Sequence, residues 1–357
     1  MTQPLPLPPA AALRRIAFLL ERALEPSYKV RAFRRAAAVV DRMGPEELAR
    51  LAAGPGAGLR ALSGIGEVTE RVILEALAGE VPVYLRRLEA TEGRPVSEGA
   101  AALRAALCGD CHTHSDWSDG GSPIAEMAEV ARELGHEYVV LSDHSPRLTV
   151  ANGLSPERLA AQLDEVARLN ERLADETPSF RVLTGIEVDI LEDGSLDQEP
   201  ELLERLDVVV ASVHSKLRMP AGEMTGRLLT AIANPHVDVL GHVTGRIVRG
   251  RGRPESEFRP EAVFAACADH GVAVEVNARP ERQDPPKRLL RLAVEAGCLF
   301  AIDTDAHAPG QLDWQLGGCE RAFACGVEPD RVVNARDAAG LLEWAKGGRA
   351  LPRPRDP

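Results

Sequence analysis

Seven short runs with the length and spacing of strands, all but the first of them apolar and most rich in β-branched residues, recur through the last two thirds of the chain, and they constrain the fold more than any other feature. They lie at 109–112, 138–142, 182–188, 208–213, 237–240, 272–276 and 299–302. Between them are amphipathic stretches such as 124–134, 156–173 and 286–296, several introduced by Ser or Pro as helix starts are. Apolar runs alternating with helical segments predict repeated βα units, and here a parallel α/β barrel of seven strands. In such a barrel the C-terminal ends of the strands share one rim, so side chains distant in sequence meet there.

Every predicted strand delivers a ligand-type residue to that rim. His112 and His114 close the first, Asp143 and His144 the second, Glu187 the third, His214 the fourth, His242 the fifth and Asn277 the sixth, while Asp305 and His307 follow the seventh. One histidine at a strand end is more often a hydrogen-bonded structural residue than a metal ligand. The same coincidence on every strand points instead to a shared site. Alternate residues of an extended chain project to the same side, so His112 and His114 can grip one ion together. Imidazole and carboxylate suit Zn, Mn or Fe, whereas a thiolate-rich set would indicate structural zinc. The mixture predicts open, catalytic metal sites. His136 and His270, in Leu-Gly-His and Asp-His-Gly turns, are expected to be structural.

A chain of 357 residues has room for two domains. No run approaches the ~20 uncharged apolar residues of a membrane span, which predicts a soluble protein. Residues 1–10 and 348–357 read as tails, and the first lacks the basic flank and apolar core of a secretory signal. Six scattered cysteines fit reduced thiols in the cytoplasm, and the Cys108-x-x-Cys111 pair is expected to be structural. The net charge of −12 argues against a general nucleic-acid coat protein. It is unevenly spread: residues 1–95 carry 14 Arg and Lys against 11 Asp and Glu, or +3, leaving −15 for the remainder.

Residues 11–90 show only helical spacing, as in Leu13–Ile16–Leu20 and Phe33–Ala37–Val40. A polar stretch with Gly and Pro follows, so 91–107 is expected to be a linker and 108–347 the barrel domain.

In order along the barrel stand Cys111-His-Thr-His114, Ser118-Asp-Gly120, Ser142-Asp-His144, Gly185-Ile-Glu187, Ser212-Val-His214, Gly241-His242 and Thr304-Asp-Ala-His307. From about Asp110 to Asn334 the chain resembles the polymerase and histidinol phosphatase (PHP) superfamily, whose fold is a distorted seven-stranded barrel holding up to three metal ions. The resemblance implies that His112, His114, Glu187 and Asp305 bind one ion, that Glu187 bridges to a second held by His214 and His242, and that Asp119, His144 and His307 hold the third. It also implies a phosphoesterase in which metal-activated water attacks the ester, with Glu187, Arg227 and Arg246 as candidate catalytic residues. Arg227 and Arg246 stand in Thr-x-Arg and Thr-Gly-Arg contexts that relatives share. With Lys216 and Arg218 they follow the fourth and fifth strands, where cations can meet substrate phosphate.

In the helical domain, Leu62-Ser-Gly-Ile-Gly66 and the apolar helix after it resemble a helix-hairpin-helix, in which Gly64 and Gly66 let backbone amides approach a nucleic-acid phosphate. With the nearby cations Lys29, Arg31 and Arg34, the domain is similar to the N-terminal domain of family X DNA polymerases. The short linker leaves no room for a polymerase palm between the domains. The helix after Gly66 carries no lysine for a Schiff base, which speaks against lyase activity. The resemblance therefore implies a DNA-directed phosphoesterase of the 3′-5′ exonuclease or 3′-phosphatase type, acting in repair. Its rivals are a small-molecule phosphatase of the histidinol-phosphatase type and a non-catalytic, metal-stabilised DNA-binding protein.

Overall fold

A computed structural model describes residues 6–54, 58–90, 96–175, 177 and 179–347. The chain divides into two compact units, Met1–Pro95 and Val96–Pro357, and no helix among the described residues is long and apolar enough to cross a membrane.

Among the described residues the first unit is helical. Helices Pro9–Arg22, Ser27–Asp41, Pro45–Ala53, Glu67–Leu77 and Val83–Ala90 are joined by short turns and one 3-10 turn, Leu59–Ala61. The first starts two residues before the expected tail ends, because Pro9 at its opening position loses no hydrogen bond. Leu13, Ile16 and Leu20 form its buried stripe, and Val30, Phe33, Ala37 and Val40 that of the second.

In the second unit, strands β1 (Gly109–Thr113), β2 (Tyr138–Leu141), β3 (Arg181–Asp189), β4 (Val208–Ser212), β5 (Val239–Leu240), β6 (Ala273–Asn277) and β7 (Phe300–Asp303) form one parallel sheet in sequence order. All seven expected strands are present. Both faces are buried, which is why the strands other than β1 read as largely apolar runs. One face contributes Cys111, Val140, Leu183, Val210, Val239, Ala273 and Ala301 to a common cluster, one residue from each strand, so this face lines the barrel interior. The alternate residues Val209, Ala211, Leu240, Val274 and Ile302 join the core that also takes in the surrounding helices.

The barrel is nearly closed. Between β1 and β7 a single backbone bridge, Thr113 to Ala306, is joined by side chains. Asn334 Nδ2 donates to Gly109 O and Ile302 O at 3.0 and 2.8 Å, Gln315 Nε2 donates to the same two carbonyls at 2.9 Å, and Cys111 N donates to Asp303 Oδ1 at 2.8 Å.

The expected linker 91–107 needs correction. Residues 91–95 lie outside the described residues, but Glu98–Ala106 is a helix of the barrel unit, capped by Ser97 and burying Ala100 and Leu103. Its run of alanines has high helix propensity, which the flanking Gly and Pro obscured. The expected C-terminal tail 348–357 and residues 1–5 of the N-terminal one also lie outside the described residues.

Candidate metal centre

A bulge in β1 sets the geometry of the rim. Asp110 pairs with Val139 but Thr113 with Leu141, so β1 spends three residues where β2 spends two. Cys111 faces the barrel interior, and the extra residue re-phases the strand so that His112 and His114 face it as well. His112 Nε2 and His114 Nε2 lie 3.3 and 3.6 Å from Glu187 Oε2.

Glu187, near the end of β3, is the hub. His144 Nδ1 lies 2.8 Å from its Oε2, and His214 Nε2 and His242 Nε2 lie 3.2 and 2.9 Å from its Oε1. Gly185, two residues earlier on the same side, has no room for a β-carbon: one would meet Val140 Cγ1 at 2.6 Å and Val208 O at 2.8 Å. Asp119 stands across the rim with His144 Nε2 at 3.4 Å and His307 Nε2 at 3.3 Å. Its loop is held by the buried Asp143, which accepts from Ser115 N at 2.8 Å and from Ser115 Oγ and Ser118 Oγ at 2.6 and 2.5 Å. Asp305, in left-handed backbone at φ 54°, turns Oδ1 to within 3.5 Å of His114 Nε2.

Three groups offer ligand atoms within 4.8 Å of one another: His114 with Asp119, His144 and His307; His112 with His114 and Glu187; and His144 with Glu187 and His214. Seven of the nine expected ligands fall in these groups, and His242 and Asp305 adjoin them through Glu187 at 2.9 Å and His114 at 3.5 Å. The sorting differs from the expected one: His114 also joins Asp119, His144 and His307, His144 reaches Glu187 and His214 as well as Asp119, and His242 and Asp305 belong to none of the three groups.

Charge is crowded here. Burial alone would raise the Glu187 carboxyl, but His214, His112 and His144 around it hold it well below the usual range. His144 runs the other way: burial lowers it, yet Glu187 and Asp119 carry it up to about 10. His114 is held well below an ordinary imidazole by burial and then by His307 and His144, whose ring centroids lie 4.2 and 4.4 Å from its own. Among the described residues, His112 Nε2, both ring nitrogens of His114, His214 Nε2 and Glu187 Oε2 are buried without a hydrogen-bond partner. Each such atom costs roughly 1–3 kcal/mol if nothing satisfies it. Converging imidazole and carboxylate donors of this kind fit divalent Zn, Mn or Fe.

A second layer orients the first, and the sequence reading missed it. Glu275 of β6 faces His112 Nδ1 at 2.6 Å through Oε1 and accepts from His242 N at 2.5 Å through Oε2. Asp189 faces His214 Nδ1 at 3.1 Å. Glu275 was within reach of sequence reasoning: it alternates with Asn277 in an otherwise apolar strand, which puts both on one side.

Of the expected catalytic and phosphate-binding cations, Arg227 and Arg246 are engaged with backbone carbonyls. Arg227 is buried, with Nε donating to Ile190 O at 3.1 Å and Nη1 to Ser215 O at 2.9 Å, so it staples the segments after β3 and β4. Arg246 donates from Nε to Arg282 O at 3.0 Å and from Nη2 to Gln283 O, and is spent on the loop after β6. Lys216 and Arg218 are exposed, and Lys216 Nζ lies 4.0 Å from Glu192. The cavity beside the candidate ligands, about 350 Å³, is lined by Arg279 and Arg282, which the sequence reading overlooked. Arg282 Nε donates to Asp305 Oδ2 at 2.9 Å, Arg279 Nη1 to Asp305 O at 3.1 Å, and Arg282 Nη1 is buried without a partner among the described residues.

In the helical unit Gly64 adopts φ 101°, open to glycine, and Gly66 caps the helix Glu67–Leu77. The Gly66 amide donates to Thr69 Oγ1 at 2.9 Å. Arg34, expected to contact DNA, is committed to Glu21 through two bonds of 2.6 and 2.8 Å in a largely buried pair. Lys29 pairs with Glu25 at 2.6 Å, and Arg31 is exposed.

Among known protein families, the PHP domain matches residues 110–279 and a helix-hairpin-helix domain matches residues 8–81. The DNA polymerase/3′-5′ exonuclease PolX of Bacillus subtilis is 40% identical over 238 residues, covering 67% of this chain and 41% of PolX. The chain thus spans about two fifths of that relative's length. A probable phosphatase of Thermoanaerobacter sp. (strain X514) is 28% identical over 252 residues, covering 66% of this chain and 94% of that protein. The solved structure of histidinol phosphate phosphatase from Lactococcus lactis, in complex with zinc, L-histidinol and phosphate, aligns at a TM-score of 0.47 and 16% identity over 62% of this chain and 95% of that one.

Proposed function

Because the chain carries a PHP domain preceded by a helix-hairpin-helix domain, we propose that it is a metal-dependent phosphoesterase that hydrolyses phosphate esters at DNA 3′ ends. The observation that carries this reading is the convergence of His112, His114, His144, His214 and His242 on the single carboxylate of Glu187. His112, His114, Glu187 and Asp305 would hold one ion, Glu187, His214 and His242 a second, and Asp119, His144 and His307 a third. Bound divalent ions supply hydroxide from water near neutral pH and neutralise charge on the phosphoryl oxygens.

The chain's own groups do the rest. Glu275 and Asp189 face the Nδ1 atoms of His112 and His214, leaving the Nε2 atoms to face Glu187. Arg282 holds Asp305 with Nε while its Nη1 stays available to a phosphoryl oxygen, and Arg279 lines the same wall. Burial of the ligands excludes bulk water, which strengthens each of these contacts.

DNA is favoured as substrate by the helix-hairpin-helix domain and by the likeness to PolX, a named 3′-5′ exonuclease. A small-molecule phosphatase is the second reading, supported by the probable phosphatase that aligns over nearly its whole length. Side-by-side assays separate them. Manganese-loaded protein should release nucleotides or phosphate from DNA ends faster than from small phosphomonoesters, and His112→Ala should abolish both. Turnover of histidinol phosphate without action on DNA would favour the second reading, and no turnover of any phosphate ester would remove both.

A further inference from the structure

Four arginines fall within eight residues at 246–253, Arg-Ile-Val-Arg-Gly-Arg-Gly-Arg, in a part of the chain whose net charge is −15. The segment is a small arm. Ile247 and Arg253 pair in antiparallel fashion through bonds of 3.0 and 2.8 Å, and Gly250 and Gly252 take φ of 65° and 67° to turn the tip. Two arginines build its base: Arg246 as described, and Arg253 by donating from Nε to Gly245 O at 2.6 Å. The other two, Arg249 and Arg251, are exposed at the tip. Elsewhere on the barrel Arg132 pairs with Glu129, Arg147 with Asp197 and Arg288 with Glu255. Among the described residues Arg249 and Arg251 have no carboxylate within 4 Å. The arm also adjoins the metal cavity: Ile247 lines it, and Val248 N donates at 2.6 Å to Glu281 O, whose residue lines it too.

We propose that this arm binds the phosphodiester backbone of a nucleic-acid strand whose end occupies the metal cavity. A small phosphomonoester is engaged entirely by Arg279, Arg282 and the metal ligands and has no use for cations outside the cavity. A strand continues past the mouth with one charge per nucleotide, and unpaired arginines on a glycine-turned tip are suited to meet it. The inference rests on the DNA phosphoesterase reading above and adds to it the surface that would hold the strand beyond the cavity.

The test uses the full chain loaded with manganese, a single-stranded 20-nucleotide oligothymidylate, and p-nitrophenyl phosphate as the small ester. Arg249→Ala/Arg251→Ala should raise KM for the oligonucleotide and reduce the slope of log KM against log salt by about 1.4, or ~0.7 per lost contact. Turnover of the small ester should not change, and the double lysine variant should keep most of the salt dependence. Unchanged oligonucleotide KM and slope, or equal impairment of both substrates, would overturn the arm's role while leaving the hydrolase intact. Wild-type turnover of the small ester alone would overturn it together with the choice of DNA, whereas turnover of neither substrate would instead strike the phosphoesterase reading.

Discussion

Replacing Glu275 by Gln tests whether the second layer sets the donor atoms of the first. Both carboxylate oxygens are in use: Oε1 faces His112 Nδ1 at 2.6 Å, and Oε2 accepts from His242 N at 2.5 Å and from Asn277 Nδ2 at 3.2 Å. Glutamine offers one acceptor oxygen and one donor nitrogen. If the nitrogen turns to His112 it donates to Nδ1 and drives the ring proton onto Nε2, the atom that faces Glu187 at 3.3 Å. If it turns the other way it sets a donor against the buried amide of His242, at roughly 1–3 kcal/mol. Loss of such an outer partner typically lowers metal affinity by about 10- to 100-fold, or about 1.4–2.7 kcal/mol. Competition against a chelating dye, with Zn or Mn and with circular dichroism to verify folding, measures this directly. A folded variant with wild-type affinity would refute the reasoning, because His112 would then present its donor atom without Glu275.

Arg227→Ala should act on stability and not on substrate binding: losing bonds to Ile190 O and Ser215 O costs about 3 kcal/mol, roughly 6–12 °C in Tm for a unit of this size. Thermal melts beside KM measurements check it, and a large KM increase with unchanged Tm would return Arg227 to the substrate. Asp119→Asn weakens the partner of His144 and His307, so the metal content of purified protein should fall by one ion with the others retained. His136 has its pKa lowered to about 3 by burial and then by Arg104. Its neutral form is therefore favoured in the folded state, and the stability it contributes above pH 6.5 is lost as pH falls toward 3. By pH 5.5 the loss is about 1.4 kcal/mol. Denaturant titrations of His136→Asn should show a shallower decline than wild type between pH 6.5 and 5.5.

Most strands were legible because they are buried on both faces and so read as short apolar runs, whereas β1 is polar and β6 carries Glu275 and Asn277 in alternation. The candidate ligands stood out because imidazoles and carboxylates at six of the seven strand ends, with Asn277 at the other, have no common structural cause. Arg227 and Arg246 were misread for a definite reason: a guanidinium after a strand suits a phosphate, but it suits a pair of loop carbonyls equally well, and which it meets is decided by tertiary packing. Arg279 and Arg282 escaped notice because they lie past Asn277 in a loop whose return over Asp305 no local pattern announces. The β1 bulge left no sequence mark either, since a strict two-residue period would send Cys111 and His112 to opposite sides. In the helical unit, Arg34 looked like one cation among several until Glu21, thirteen positions earlier, closed a pair with it.

The most direct test is metal analysis by mass spectrometry of the purified chain, paired with phosphoesterase activity before and after chelation. Two or three bound divalent ions per chain are expected, with loss of turnover on stripping, recovery on adding Mn or Zn, and failure of Glu187→Gln to recover. Protein that binds no divalent ion at micromolar concentration, or that hydrolyses phosphate esters equally well after complete stripping, would contradict that expectation.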